Sequence, residues 1–422
     1  MGLTRALTIS SFLLGVFLDP LALAQEPSAP PPKASPQPPT PGGTPDLPPE
    51  TELPRETPIE NALQPRATSG SAFGGYGELT LNAPSNAPAV IDLRRFVLYF
   101  GHSFTDRIRF YSEVEVEHAV ASSSDKGEAE VEQAYLDGLL DNRLNLRGGL
   151  VLMPVGIVNV YHEPPSFNGV DRPEVDQFVI PTTWREPGIG IFGEVAEGLR
   201  YQLYVVNGFN ANGFTAESAI REGHQEAQLA EAKDVGAVAH VDYEPRLGTV
   251  FGASGYYATS GNSQTGPVGH VPVGLIEADA RTRIGGFSAR AQAAALFIGD
   301  TAQLNQALAS AALASGSPDQ AAAVPVSSQS FGGYAEVAYD VLHGWANTEQ
   351  AVIAFGRFDY VDTQAKVLGG FAARPEFRRT VGTLGLVWKP ITQIAIKADY
   401  RRHHLGTGED FDEFASAITW LF

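Results

Sequence analysis

No cysteine occurs among the 422 residues, which excludes disulfides and thiol chemistry and suits a chain that crosses an oxidising compartment. Positive charge is scarce: 29 Lys and Arg stand against 48 Asp and Glu, a formal net charge of −19. That balance argues against nucleic acid as a partner, because phosphate binding needs a positive field. Long apolar runs are missing too. Beyond the N-terminus none approaches the roughly 18 residues of a spanning helix. No nucleophile motif, phosphate-cradling glycine loop or acid–base pair in a recognisable frame is found, so enzymatic chemistry is not expected. Metal-ligand spacing is also lacking. His403 and His404 are adjacent, so in a strand they point to opposite faces, and the other histidines are scattered. Neither a metal nor another cofactor is expected.

The N-terminus reads as an address. Arg5 precedes an apolar stretch, Ala6 to Leu18, which Asp19 and Pro20 end before the small-x-small site Ala22-Leu23-Ala24. Residues 1–24 are expected to be a cleaved export signal. Residues 25–70 are low-complexity and proline-rich, with Pro30-Pro31-Pro32 and Pro36-Gln37-Pro38-Pro39. Such a segment cannot form a core and reads as an extended, disordered periplasmic linker. It is either a passive spacer or a tether to a partner.

From residue 71 to 422 the pattern changes to period-2 alternation between turn signals, the signature of strands with two different faces. The last of them, ending in Phe422, carries Phe414, Ile418, Trp420 and Phe422 on one face. About sixteen candidate strands can be counted between Phe73 and Phe422. Short connections, as at 103–106, 139–142 and 195–198, alternate with long ones, as at 153–186, 209–233 and 299–330. A chain whose backbone must be satisfied in lipid has only helices or a closed barrel available. The expected fold is therefore all-β: a transmembrane antiparallel barrel with short periplasmic turns and long outer loops, as in the outer membrane of a Gram-negative bacterium. Mean hydropathy of −0.08 agrees, since only alternate strand residues meet lipid.

The faces can be assigned where alternation is clean. Ile108, Phe110, Val114 and Val116 oppose Arg107, Arg109, Tyr111, Glu113, Glu115 and Glu117. A charged row facing lipid near the midplane costs a few kcal/mol per residue, on the order of 2–4, so it must line the lumen. The same logic points inward Glu277, Asp279, Arg281 and Arg283, Arg290 opposite the row Phe287 to Phe297, and Lys397, Asp399 and Arg401. A lumen carrying both charge signs is wet, and a wet lumen at sixteen strands is a channel.

The runs Gly75-Tyr76-Gly77-Glu78, Asp92-Leu93-Arg94-Arg95-Phe96, Phe104-Thr105-Asp106-Arg107-Ile108 and Met153-Pro154-Val155-Gly156, with His162-Glu163-Pro164-Pro165 and Trp184-Arg185-Glu186-Pro187-Gly188, resemble the phosphate-selective O/P porin family over residues 73–422. The resemblance implies a sixteen-stranded outer-membrane porin, usually a homotrimer, whose third long loop folds inward to narrow the pore. That loop would be 153–186 here. It also implies basic ladders that lead anions through the constriction, from which this chain departs by mixing glutamate with arginine in its lumen rows.

Ten basic residues are candidates for an anion path: Arg94, Arg107, Arg109, Arg147, Arg281, Arg283, Arg290, Arg379, Lys397 and Arg401. Arginine suits phosphate and carboxylate because its donors form a planar fork. The alternative is cross-strand pairing with Glu113, Glu115, Glu117, Glu277, Asp279 and Asp399. A mixture of the two, with a transverse field at the constriction, is the favoured reading. Asp171, Arg172, Glu174 and Asp176 are the charged candidates of the constriction loop. The expected function is passive diffusion of small hydrophilic solutes and ions, including anions such as phosphate, through an outer-membrane channel. The competing expectation is a structural or adhesive barrel with a plugged lumen. Expected partners are the lipid bilayer and the solutes in transit.

Overall fold

The computed structural model describes residues 70–122, 126–261, 269–314, 316, 325–345 and 348–422. The expected export signal and nearly all of the expected linker lie outside them. Among the described residues, alternation becomes sixteen strands: β1 (Gly70–Pro84), β2 (Val90–Ser103), β3 (Ile108–Glu117), β4 (Ala129–Leu139), β5 (Asn145–Leu152), β6 (Arg185–Ala196), β7 (Leu199–Asn207) and β8 (Val235–Arg246) in the first half. The second half contains β9 (Thr249–Ala258), β10 (Val273–Ile284), β11 (Phe287–Ile298), β12 (Gln329–Asp340), β13 (Ala351–Lys366), β14 (Arg378–Ile391), β15 (Ile394–Leu405) and β16 (Asp410–Leu421). Each pairs antiparallel with its sequence neighbours, and β16 closes on β1 to complete the barrel. Closure leaves no strand edge unpaired, as a lipid environment requires.

The expected boundaries shift at a few places. Gly70 already belongs to β1, whereas the linker reading had included it. Arg107 lies in the turn before β3 rather than in the strand. Arg185 and Glu186, placed at the end of the long loop by the sequence reading, are the first residues of β6 and pair with Leu152 and Val151. Connection lengths follow the expected alternation, except that 85–89 and 406–409 are short at the long-loop end and 341–350 is longer at the opposite end. Among the described residues no helix is long and apolar enough to cross a membrane.

Outward-facing side chains are apolar along the strands. Leu203, Val205, Phe251, Ile276, Phe358, Leu384 and Ile396 are all exposed on the barrel exterior. Aromatic residues gather at two levels. Tyr257, Phe297 and Phe331 stand near the long-loop ends of their strands, with Tyr360 stacked on Phe331 at 5.5 Å; Tyr243, Phe287, Tyr339 and Trp388 stand near the short-turn ends. Two such girdles around an apolar band are what the two membrane interfaces select. Inward-facing side chains are buried and polar or aromatic, as with Tyr111, Glu113 and Glu115 in β3.

Leu384 lies mid-strand opposite Gly356 and is 70% exposed. Leu384→Arg puts a charge in the apolar band and is expected to lower barrel stability by about 2–4 kcal/mol. Denaturant unfolding in lipid vesicles, followed by tryptophan fluorescence, measures it; an unchanged midpoint would mean that this face does not meet lipid.

Candidate functional site

Two β-bulges build the charged wall of the site. In the β1–β2 pair Glu78 opposes Arg95 but Leu79 opposes Leu93, so Arg94 is an extra residue. In the β3–β4 pair Glu113 opposes Gln133 but Val114 opposes Val131, so Glu132 is extra. A bulge lets two successive side chains share a face. Glu132 and Gln133 are consequently both buried inside the barrel, and Arg94 and Arg95 both turn inward. Arg95 pairs with Glu78 at 3.0 Å and lies 3.8 Å from Glu115.

The segment 153–184 leaves β5, enters the barrel and returns to β6. Its short helices are α1 (Ile157–Val160) and α2 (Glu174–Phe178). Lumen side chains hold its backbone. Lys397 of β15 donates to the carbonyls of Pro164, Phe167 and Gly169 at 2.6, 2.7 and 2.9 Å. Lys389 donates to Pro165 O at 2.9 Å. The Val170 amide donates to Asp399 at 2.7 Å and the Glu174 amide to Asp359 at 3.0 Å. Gln292 of β11 accepts from the Ile157 amide at 2.8 Å and donates to Asp176 at 2.9 Å.

Loop side chains complete the attachment. Asp171 pairs with Arg94 and Arg401, and Glu174 pairs with Arg379 at 3.3 Å. Burial alone raises the Asp171 carboxyl, but the two guanidiniums hold it well below the usual carboxylate range. Asp176 has no such partner: burial pushes it up to about 7 against the hydrogen bond from Gln292. Burial and the nearby Arg95 bring Arg172 down to about 10. The Arg172 guanidinium donates to Thr183 at 3.1 Å.

The ten basic candidates divide between two places. Arg94, Arg379, Lys397 and Arg401 grip the inward loop, as above. Arg107, Arg147, Arg281, Arg283 and Arg290 line two cavities of about 620 and 510 Å³ on the short-turn side of the loop. These cavities share Tyr161, Arg200 and Arg281. Arg109 is half-buried near the same end of β3. Carboxylates accompany the cavity cations. Arg147 is bidentate to Asp137 at 2.8 and 2.9 Å, Arg281 lies 3.2 Å from Asp279, and Arg290 lies 2.7 Å from Glu336. Among the acidic candidates, Glu113 accepts from Tyr111 and Gln133, Glu277 accepts from Ser254, and Asp399 pairs with Arg401. Glu115 is buried beside Arg95, with Glu117 next along the same face, half-buried.

Sequence reasoning missed Glu78, Arg95, Glu132, Arg357, Asp359 and Glu336 as site members. Glu132 was hidden by its bulge, which breaks the parity that strand reading relies on, and of the inward pair Arg94-Arg95 only Arg94 was expected. Of the histidines scattered along the sequence, His162 is brought to a pair of buried carboxylates. The inward loop places its ring 3.4 Å from Glu132 and 3.7 Å from Glu113.

Two further loops pack over the inward one. Arg221, from 208–234, donates to the carbonyls of Gln177 and Thr182. Trp184 stacks on Phe209, Tyr256 meets both edge-on, and Phe214, Ile220, Leu304 and Val326 join the same buried cluster. Leu304 belongs to α3 (Thr301–Ala314).

No protein-family model matches the chain. It is 35% identical over 358 residues to an uncharacterised protein of Aquifex aeolicus (strain VF5), covering 84% of this chain and 80% of that one. The chain belongs to that protein's family. Among solved structures it is similar to Salmonella typhi OmpF in complex with daunomycin (TM-score 0.56, 11% identity, covering 84% of this chain and 98% of that chain). It is also similar to a loop-deletion mutant of OmpT, an outer membrane protein of Vibrio cholerae (0.53, 12%, 84% and 100%), and to an anion-selective porin from Comamonas acidovorans (0.52, 10%, 84% and 100%). The fold is that of the outer-membrane porins.

Lys397→Met leaves three loop carbonyls without their donor. Hydrogen bonds to charged groups contribute about 1.5–3 kcal/mol each, so amide exchange across 164–170 is expected to quicken by at least about tenfold. Native-state exchange with mass spectrometry checks this, and unchanged protection would mean that the loop is held elsewhere. A second expectation concerns pH. The folded Asp176 carboxyl titrates near 7 instead of 3.8, so the attached loop binds the proton more tightly than a released one. Loop attachment is therefore strongest below pH 3.8, weakens as pH rises, and levels off above about 7. Asp176→Asn should flatten this dependence in the same exchange experiment; an unaltered pH profile would assign it to another group.

Proposed function

We propose that this member of the Aquifex protein's family is an outer-membrane channel through which small hydrophilic solutes and ions diffuse passively, with the inward loop as its constriction. One observation carries the reading: a long connection enters the barrel and is fastened to its charged wall, and cavities lined by paired charges lie beneath it. A segment serving only as an exterior surface loop has no use for such a network, whereas a diffusion pore needs a fixed, polar narrowing. Burial of Lys397 and Arg401, and half-burial of Arg94 and Arg379, against the loop argue that they set its position. The five in the lower cavities are the ones that solutes meet.

Because Arg147, Arg281 and Arg290 are accompanied by carboxylates, selectivity would come from a transverse field rather than from a basic ladder. Anions, inorganic phosphate among them, would pass without a dedicated binding site. A homotrimer is part of the proposal, in keeping with the trimer form in which one OmpT structure is described. The apolar cluster over the inward loop favours a second reading, a closed or plugged barrel, since it fills part of the long-loop mouth.

Single-channel recording in a planar bilayer separates the two. Stepwise ohmic openings are expected, with reversal close to neutral under a KCl gradient and no block by added phosphate. Arg281→Glu together with Arg290→Glu should move the reversal potential toward potassium. Phosphate block would restore a dedicated anion path, and silence from correctly folded protein would favour the plug.

A further inference from the structure

We propose that Glu113, Glu132 and His162 bind one divalent metal ion of the zinc class, which staples the inward loop to strands β3 and β4. One donor atom from each residue falls within a 4.8 Å cluster, and all three residues are buried. His162 Nε2 lies 3.4 Å from Glu132 Oε1 and 3.7 Å from Glu113 Oε2. Donors placed tetrahedrally around zinc at about 2.0–2.2 Å stand roughly 3.3–3.6 Å from one another. The two distances from the ring are near those of ligands around an ion, the 3.7 Å one needing a small inward shift, and both are too long for good hydrogen bonds.

The unmet valences agree. Neither ring nitrogen of His162 makes a hydrogen bond, and Glu132 Oε1 receives none, although His162 is 1% exposed and Glu132 is fully buried. The remaining carboxylate oxygens are oriented by neighbours, as the surroundings of a metal ligand usually are. Tyr111 donates to Glu113 Oε1 at 2.7 Å, and Tyr76 donates to Glu132 Oε2 at 3.3 Å. Gln133 donates to Glu113 Oε2 at 2.7 Å, the oxygen nearest the ring. One imidazole and two carboxylates suit zinc, cobalt or manganese; calcium prefers oxygen ligands alone. The ion would accept the ring nitrogen lone pair, and any proton shared within the cluster would leave to water. Two ligands come from the wall and one from the loop, so the ion would cross-link the loop to β3 and β4 as Lys397 ties it to β15.

The site stands independently of conduction and is tested without it. Untagged full-length barrel, stripped with chelator and checked for heat-modifiable migration, is titrated with Co²⁺ and its visible spectrum recorded. One equivalent with the intense bands of tetrahedral cobalt is expected, displaced by Zn²⁺. His162→Gln and Glu132→Gln should weaken binding by at least about a hundredfold, whereas His404→Gln, on an exposed strand end, should leave it unchanged. Should the two site variants fail to fold, X-ray absorption of the wild-type cobalt form decides: mixed nitrogen and oxygen ligands at about 2.0–2.1 Å support the site. A six-oxygen aquo shell, weak binding, or binding that survives His162→Gln in folded protein would overturn the proposal and leave a cluster held by shared protons.

Discussion

A segment that leaves the wall of a barrel and crosses its interior gives up the ladder that satisfied its peptide groups. Each buried carbonyl or amide then needs another partner or costs roughly 1–3 kcal/mol. Everything distinctive in this protein follows from how that demand is met. Lys397 is among the most buried side chains described, and its three donors all go to loop carbonyls. An ammonium without such acceptors would be too costly to bury. The lysine needs the loop as much as the loop needs the lysine, and the interaction specifies one loop position. Asp399 and Asp359 do the complementary work for loop amides, so donors and acceptors on β13 and β15 read the loop backbone directly.

This arrangement changes what the basic residues mean. A row of inward arginines can be an electrostatic path or an internal scaffold, and both give the same alternating sequence. The structure separates them by depth. Arg94 and Arg401 converge on Asp171, and Arg379 meets Glu174 while lying over the Phe178 ring. Charges so paired in a low-dielectric interior are weak sources of external field. Arg107 and Arg283 near the short turns are more exposed and keep more of theirs. In the proposed channel, selectivity would belong to the vestibule more than to the constriction.

The fold was legible because lipid enforces period 2 on the sequence. In β3, charged and apolar residues alternate so regularly that facing could be assigned from Ile108 to Glu117. The inward loop was legible from its length and from what the family resemblance implies. Partner choice was not. Lys397 and its acceptors lie more than two hundred positions apart, and no local rule connects them. Glu132 was missed for a different reason: glutamate stands at 128 just before β4 and at 130 and 132 within it, and then the bulge reverses the parity, so that 133, 135 and 137 point inward. Two inward-facing neighbours in an otherwise alternating strand are the trace a bulge leaves, visible here as Arg94-Arg95 and Glu132-Gln133.

Both bulges lie on the same side of the barrel, and both double a polar inward pair where the loop stem arrives. That placement has a physical logic. A regular strand offers one inward side chain per two residues, with neighbours too far apart to converge on a single atom of the loop. Adding a residue locally doubles the density of charged groups without lengthening the strand across the bilayer. Arg94 can then reach Asp171 while Arg95 keeps Glu78, and Glu132 can face His162 while Gln133 keeps Glu113. The barrel supplies the rigidity and the bulges supply the convergence, which regular β-structure alone cannot provide.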